Sequence, residues 1–117
     1  MRVPFAIVVF SGVLAFPLSG MAASGSTITS PTPGSTLTSA STTFTWNAGP
    51  VGTTGYGLNV GTTGVGSADL VNIGPLSGTS VTVNLPTNGT TIFVRLWTIV
   101  NGTTYLYNDY TYAEFTQ

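Results

Sequence analysis

The chain has no cysteine, no histidine and no lysine, and its charged side chains amount to 4% of its 117 residues. Each absence removes a class of chemistry. Without cysteine there is neither a disulfide framework nor a thiolate metal site. Without histidine or lysine, the many serine and threonine hydroxyls have no base to activate them as nucleophiles. An ordinary soluble domain carries roughly 25% charged residues. Here the two basic residues are Arg2 and Arg95, and the three acidic ones are Asp69, Asp109 and Glu114. A nucleic-acid partner would need a basic footprint that this chain lacks.

The few carboxylates do not form a recognisable site. Glycoside hydrolysis needs two carboxylates across one bond. Asp109 and Glu114 are five positions apart, which puts them on opposite faces of a regular strand and predicts two solvated charges. Asp69 with nearby Asn72 offers too few oxygens for calcium. The glycine-rich run Gly61-Thr-Thr-Gly64-Val-Gly66 is followed by no lysine and no helix pattern, so it is not a phosphate loop. No catalytic residue, cofactor or metal is expected.

What the chain does have is β-branched and aromatic residues in short alternating runs. The organising stretch is Thr90–Val100, TTIFVRLWTIV. Alternation sends Ile92, Val94, Leu96 and Thr98 to one face and Phe93, Arg95, Trp97 and Ile99 to the other. An unpaired buried charge is too costly, so the Arg95 face must look outward and the Ile92 face enters the core. Ser41–Asn47 alternates in the same way, with Thr42, Phe44 and Trp46 on one face. In Thr54–Thr62, Tyr56, Leu58 and Val60 point inward while Gly55, Gly57, Asn59 and Gly61 point outward. Asp69–Ile73 reads as a short strand closed by Gly74-Pro75. Ser80–Leu85 turns Val81, Val83 and Leu85 inward. Asn101-Gly102 is a strong hairpin signal, and the last strand falls within Thr103–Phe115, with Asn108-Asp109 expected to mark a bulge or break. Ser26–Ser30 is a first, edge-like strand with Ile28 inward, ended by Pro31-Thr-Pro33-Gly34.

Seven short strands, regularly spaced turn residues and no credible helix beyond the N-terminal leader predict an all-β, seven-stranded antiparallel β-sandwich. Residues 1–23 read as a secretory signal peptide, with Arg2 before the apolar stretch Val3–Leu18 and small residues at Gly20–Ala23. A transmembrane anchor is the competing reading, although the apolar run is shorter than the ~20 residues a span needs. Residues 24–40 form the first edge strand and a Ser/Thr/Pro-rich linker, and residues 41–117 the remainder of one sandwich.

Residues 41–112 resemble a fibronectin type III domain of bacterial secreted and surface proteins. The motifs are Phe44-Thr-Trp46, Thr54-Gly-Tyr56-x-Leu58-x-Val60, and Leu85-Pro86 followed by Ile92-Phe93-Val94-Arg95-Leu96. The chain departs from the pattern at Ile92, where the family has its corner tyrosine, and it has no Arg-Gly-Asp sequence. The resemblance implies an immunoglobulin-like sandwich, outside the cell or on its surface, that binds or spaces and does no chemistry. Fold alone does not specify which.

The sequence leaves the outer aromatic face as the one candidate ligand-binding surface: Phe93, Arg95 and Trp97, joined by Tyr105 and Tyr107. Such aromatics stack on sugars or anchor protein partners. They also cover bare backbone at cross-strand glycines, and a register pairing Trp97 with Gly57, Arg95 with Asn59 and Phe93 with Gly61 would use them so. Asn88-Gly-Thr90 and Asn101-Gly-Thr103 match glycosylation acceptors but equally suit turns. Three roles are therefore expected to compete: an adhesive or structural module, a carbohydrate-binding module, and a self-assembling filament or surface-layer subunit. Their partners would be an extracellular protein, a polysaccharide or copies of the chain itself, with no membrane once the leader is removed. The leader reading predicts that the intact mass of the exported protein begins near Ala22–Ser26; a mature protein still starting at Met1 would favour the anchor.

Overall fold

The computed structural model describes residues 25–117, so the proposed signal peptide lies outside the described residues. Seven strands make two antiparallel sheets packed as a β-sandwich: β1 (Ile28–Ser30), β2 (Ser41–Trp46), β3 (Thr53–Gly61), β4 (Val71–Leu76), β5 (Ser80–Asn84), β6 (Thr91–Val100) and β7 (Thr104–Ala113). One sheet has the order β1-β2-β5 and the other β4-β3-β6-β7. No described helix is long and apolar enough to cross a membrane.

Alternation accounts for the core. Ile92, Val94, Leu96 and Thr98 of β6 are all buried, and Tyr56, Leu58 and Val60 of β3 lie beside them. Phe44 and Trp46 of β2 face them from the opposite sheet. The rings meet edge on: Phe44 against Tyr112 at 5.6 Å between centroids, and Trp46 tilted against Tyr56 at 5.7 Å. Such offset contacts suit the ring quadrupoles. The indole N–H of Trp46 has no acceptor among the described residues, so packing alone holds that side chain.

The β6–β7 hairpin forms at Asn101-Gly102 as its sequence predicts. Both residues have positive φ, 54° and 71°, the conformation a tight hairpin turn requires and asparagine and glycine tolerate. The Thr103 amide donates to the Val100 carbonyl at 3.1 Å, and Thr103 is then the one extra residue before Thr104 pairs with Val100.

Three expectations need correction. β4 does not close at Gly74-Pro75: it runs to Leu76, which pairs with Tyr56 across a register shift. Pro75 is tolerated because β4 is an edge strand, where a missing N–H deprives no neighbour. Gly74 sits there at φ 148°, where a Cβ would lie 3.0 Å from the Gly57 Cα. β7 has no break at Asn108-Asp109; both pair in register with Leu96 and Arg95. Each polar side chain has a partner that keeps the strand regular, Asn108 donating to the Ser26 carbonyl at 2.9 Å and Asp109 accepting from Arg95. Glu114, finally, is not solvated. It is 1% exposed, and its Oε1 accepts from Thr90 Oγ1 at 2.7 Å and from the Asn88 amide at 3.3 Å. Those bonds fasten the end of β7 to the approach to β6 and offset part of the cost of burying the carboxyl, whose Oε2 has no partner among the described residues.

The segment before β2 does more than link. It is tied to β7 by side chains from within the sandwich: the Tyr110 hydroxyl accepts from the Ile28 amide at 3.0 Å, and the Tyr112 hydroxyl donates to the Pro31 carbonyl at 2.9 Å. Tyr112 stands opposite Ile92 across the β6–β7 ladder, so a tyrosine tie exists one strand away from the position the resemblance would give it. Burial pushes the Tyr112 hydroxyl well above the usual tyrosine range. Ser35–Leu37 then crosses to the other sheet and pairs in parallel with the end of β7, through Leu37 N to Ala113 O at 2.9 Å and Ala113 N to Ser35 O at 3.2 Å.

Trp46→Ala is expected to destabilise the fold by roughly 3–5 kcal/mol, as for other large core aromatics, measured by denaturant unfolding. Acrylamide should quench Trp97 far more than Trp46, and equal quenching would contradict the assigned faces.

Candidate functional site

The outer face of the four-stranded sheet is built on β6. Because alternate residues share a face, Phe93, Arg95, Trp97 and Ile99 stand in a row. The register with β3 sets Gly57 opposite Trp97, Asn59 opposite Arg95 and Gly61 opposite Phe93. The register with β7 sets Tyr107 opposite Trp97, Asp109 opposite Arg95 and Tyr105 opposite Ile99. A one-residue slip of either ladder would exchange core for surface along one strand, which excludes every odd shift of the pairing.

Arg95 is held by several partners. Its Nε and Nη2 donate to the two oxygens of Asp109 at 2.8 and 3.1 Å. Its guanidinium lies 3.9 Å from the Tyr107 ring centroid and 5.4 Å from that of Trp97. On the other side is Gly66, where a Cβ would come within 3.2 Å of the guanidinium carbon. The pair is 19% and 30% exposed at its two side chains. A bidentate fork under a stacked ring belongs at the upper end of the surface-pair range, with salt bridge and cation–π contact together supplying about 1–2 kcal/mol.

Trp97 is likewise committed. Its Nε1 donates to Asn59 Oδ1 at 2.6 Å, and Asn59 Nδ2 donates onward to Asn72 Oδ1 at 3.0 Å. Tyr107 and Tyr105 meet its ring edge on, at 5.2 and 6.1 Å. Its side chain lies over Gly57, where a Cβ would sit 3.5 Å from the Trp97 Cβ and Cδ1. Gly57 is buried for this reason, although its face points away from the core.

The structure therefore brings Arg95, Trp97, Tyr105 and Tyr107 into one cluster, and adds Asp109, Asn59 and Gly66. Phe93 sits apart, flooring a shallow cleft of about 250 Å³ beside Val65, Gly66, Asp109 and Thr111. The expectation that Phe93 covers Gly61 needs correction. The register holds, but the space above Gly61 is filled by Ser67 and Asp69. The glycine-rich segment folds back over the sheet because Asp69 accepts from the Thr62 amide at 2.8 Å and the Thr62 hydroxyl at 2.7 Å. Those two bonds, the hydroxyl first, hold the Asp69 carboxyl below its ordinary range. They support the loop above that lowered value and are lost as the pH falls through it. The role of Gly66 as the wall behind Arg95 carries no local sequence signal; a residue's neighbour across a loop closure is legible only in three dimensions.

Among the described residues no group of three or more acidic, cysteine or histidine side chains could hold a metal ion. No family model, curated protein or solved structure matches the chain.

Rings exposed enough to meet a ligand are Tyr105 and Tyr107, at 54% and 40%, but Arg95 already occupies one face of Tyr107. Trp97→Ala should cost about 2 kcal/mol in the absence of any ligand, roughly half the core value, since the ring is only half-buried. Gly57→Ala crowds the Ile73 carbonyl, 3.3 Å from the new Cβ, and should be neutral or destabilising alone. In the Trp97→Ala background it should recover part of the loss, with a coupling of at least ~0.5 kcal/mol in a double-mutant cycle. Strict additivity would show that the tryptophan does not shield Gly57.

Proposed function

We propose that this chain is a secreted or cell-surface, non-catalytic β-sandwich module with a structural or adhesive role, of the fibronectin type III-like kind. The order β1-β2-β5 against β4-β3-β6-β7 supports the family reading, and the leader-like residues 1–23 support export.

The observation that carries the structural role is an elongated body braced from within and across its outer face. Ser26 is held against β6 and β7, its amide donating to Thr98 Oγ1 and its carbonyl accepting from Asn108. The Gln117 amide donates to the Thr87 carbonyl. The body is elongated, 45 × 26 × 21 Å. That shape suits a rigid spacer. The outer cluster fits the same role: Arg95, Trp97 and Asp109 spend their polar groups on one another and on Asn59, which stiffens the sheet.

A carbohydrate-binding role is the second reading, favoured by the exposed rings of Tyr105 and Tyr107. Fractionation combined with pull-down on insoluble polysaccharides tests both. The spacer reading expects the protein in the extracellular or surface fraction, with no retention on the polysaccharide. Retention that Tyr105→Ala and Tyr107→Ala both abolish would establish the sugar-binding role instead, and a protein confined to the cell interior would refute both.

A further inference from the structure

The outer edge of β7 is half used. Backbone amides and carbonyls of alternate residues point to opposite sides of a strand. Thr111 O accepts from the Gly34 amide, and Ala113 bonds to Ser35 and Leu37, all on the side away from β6. Odd-numbered residues of β7 therefore direct their backbone groups outward, and even-numbered ones direct theirs to β6. Among the described residues no backbone group pairs with Tyr105, Tyr107 or Asp109 on that side. They leave a straight, unpaired edge with no proline, bulge or lysine, and its one charge, Asp109, is taken up by Arg95. Two of the other edges are blunted: β1 has three residues and is followed by Pro31, and β4 carries Pro75 and a register shift. β5 is as long as the free part of β7, but its outward row offers no aromatic or charged pair to select a register.

We propose that two copies of this chain join through β7, antiparallel about a two-fold axis at Tyr107, making one continuous eight-stranded sheet. The side chains and the free groups select both the partner and the register. Only odd residues offer outward groups, so odd must pair with odd. The axis at Tyr107 sets Tyr107 against Tyr107 of the second copy, and Tyr105 against Asp109 of the second copy. All three free residues on each edge are then satisfied, and each tyrosine hydroxyl at position 105 comes near a carboxylate with acceptor capacity beyond its two bonds to Arg95. Moving the axis to Asn108 sets Tyr105 against Thr111, whose carbonyl already accepts from Gly34. Moving it to Asp109 sets two carboxylates face to face, which is destabilising. The chain as a whole carries a formal charge of −1, so long-range repulsion between copies is weak. Dimerisation depends on the strand edge alone, and a monomeric chain would leave the spacer role untouched.

Sedimentation of the purified full chain over a concentration series tests the pairing, with amide hydrogen exchange as the second readout. A dimer is expected, and the amides of Tyr105, Tyr107 and Asp109 should gain protection as concentration rises. Those of Leu106 and Asn108, bonded to β6, should be protected throughout. Tyr107→Pro removes an N–H that only the second copy uses, so it should leave the intramolecular ladder in place and weaken the dimer at least ~10-fold. Tyr107→Lys places two like charges across the axis and should weaken it comparably, which keeps the test decisive should the proline variant not fold. A wild-type chain that stays monomeric at millimolar concentration overturns the proposal. So does a dimer that Tyr107→Lys leaves unchanged, or one whose protected amides lie elsewhere.

Discussion

Arg95 is the only cation among the described residues, and it sits in the middle of the longest apolar strand pattern. Its charge must leave the core, and in a strand of period two that sends Phe93, Trp97 and Ile99 outward with it and turns Ile92, Val94, Leu96 and Thr98 inward. A slip by one residue in either flanking ladder would exchange core for surface along a whole strand, so only even slips compete with the observed pairing. Among those, the structure sets Gly57 against Trp97 and Asp109 against Arg95. The bidentate bond to Asp109 and the stack on Tyr107 then convert a solubility requirement into a cross-strand clamp.

That clamp also explains why the outer face is weak as an open binding platform. A sugar needs a free ring face and unspent polar groups nearby. Arg95 covers Tyr107, Asn59 holds the Trp97 indole, and Gly66 closes the back of the guanidinium. The rings remaining accessible lie at the β7 side of the sheet, beside the unpaired backbone edge. Beside those rings the strand edge itself has unspent hydrogen-bonding capacity, and what it can accept is another strand.

The N-terminal segment is the second organising element. Ordering a Ser/Thr/Pro-rich stretch costs conformational entropy, which short strand pairing by β1 would hardly offset. Hydroxyls and amides from the opposite sheet supply the remainder: Thr98, Asn108, Tyr110 and Tyr112 each bond to backbone between Ser26 and Pro31. Three of these four come from β7. The same strand also pairs with Ser35–Leu37 and is closed at its end by Glu114. Much of the cost of folding the N-terminal segment is therefore met by one strand.

Much of this was determined by sequence alone: the all-β class, the seven strands, the inward and outward faces, the Asn101-Gly102 hairpin and the parity, though not the exact register, of β6 on β3. All of these follow from period-two alternation, turn chemistry and the exclusion of a lone charge, which act between near neighbours in the chain or along one ladder. Tertiary structure decided the rest. Pro75 inside a strand required knowing that β4 is an edge. The burial of Glu114 required Thr90 and Asn88 to be beside it, and the regularity of β7 required Ser26 and Arg95 as partners for Asn108 and Asp109. Gly61 met Ser67 and Asp69 rather than a ring because a loop closed over it. In each case the deciding partner lies on another element, and a residue's own pattern cannot encode which group the folded chain will set against it.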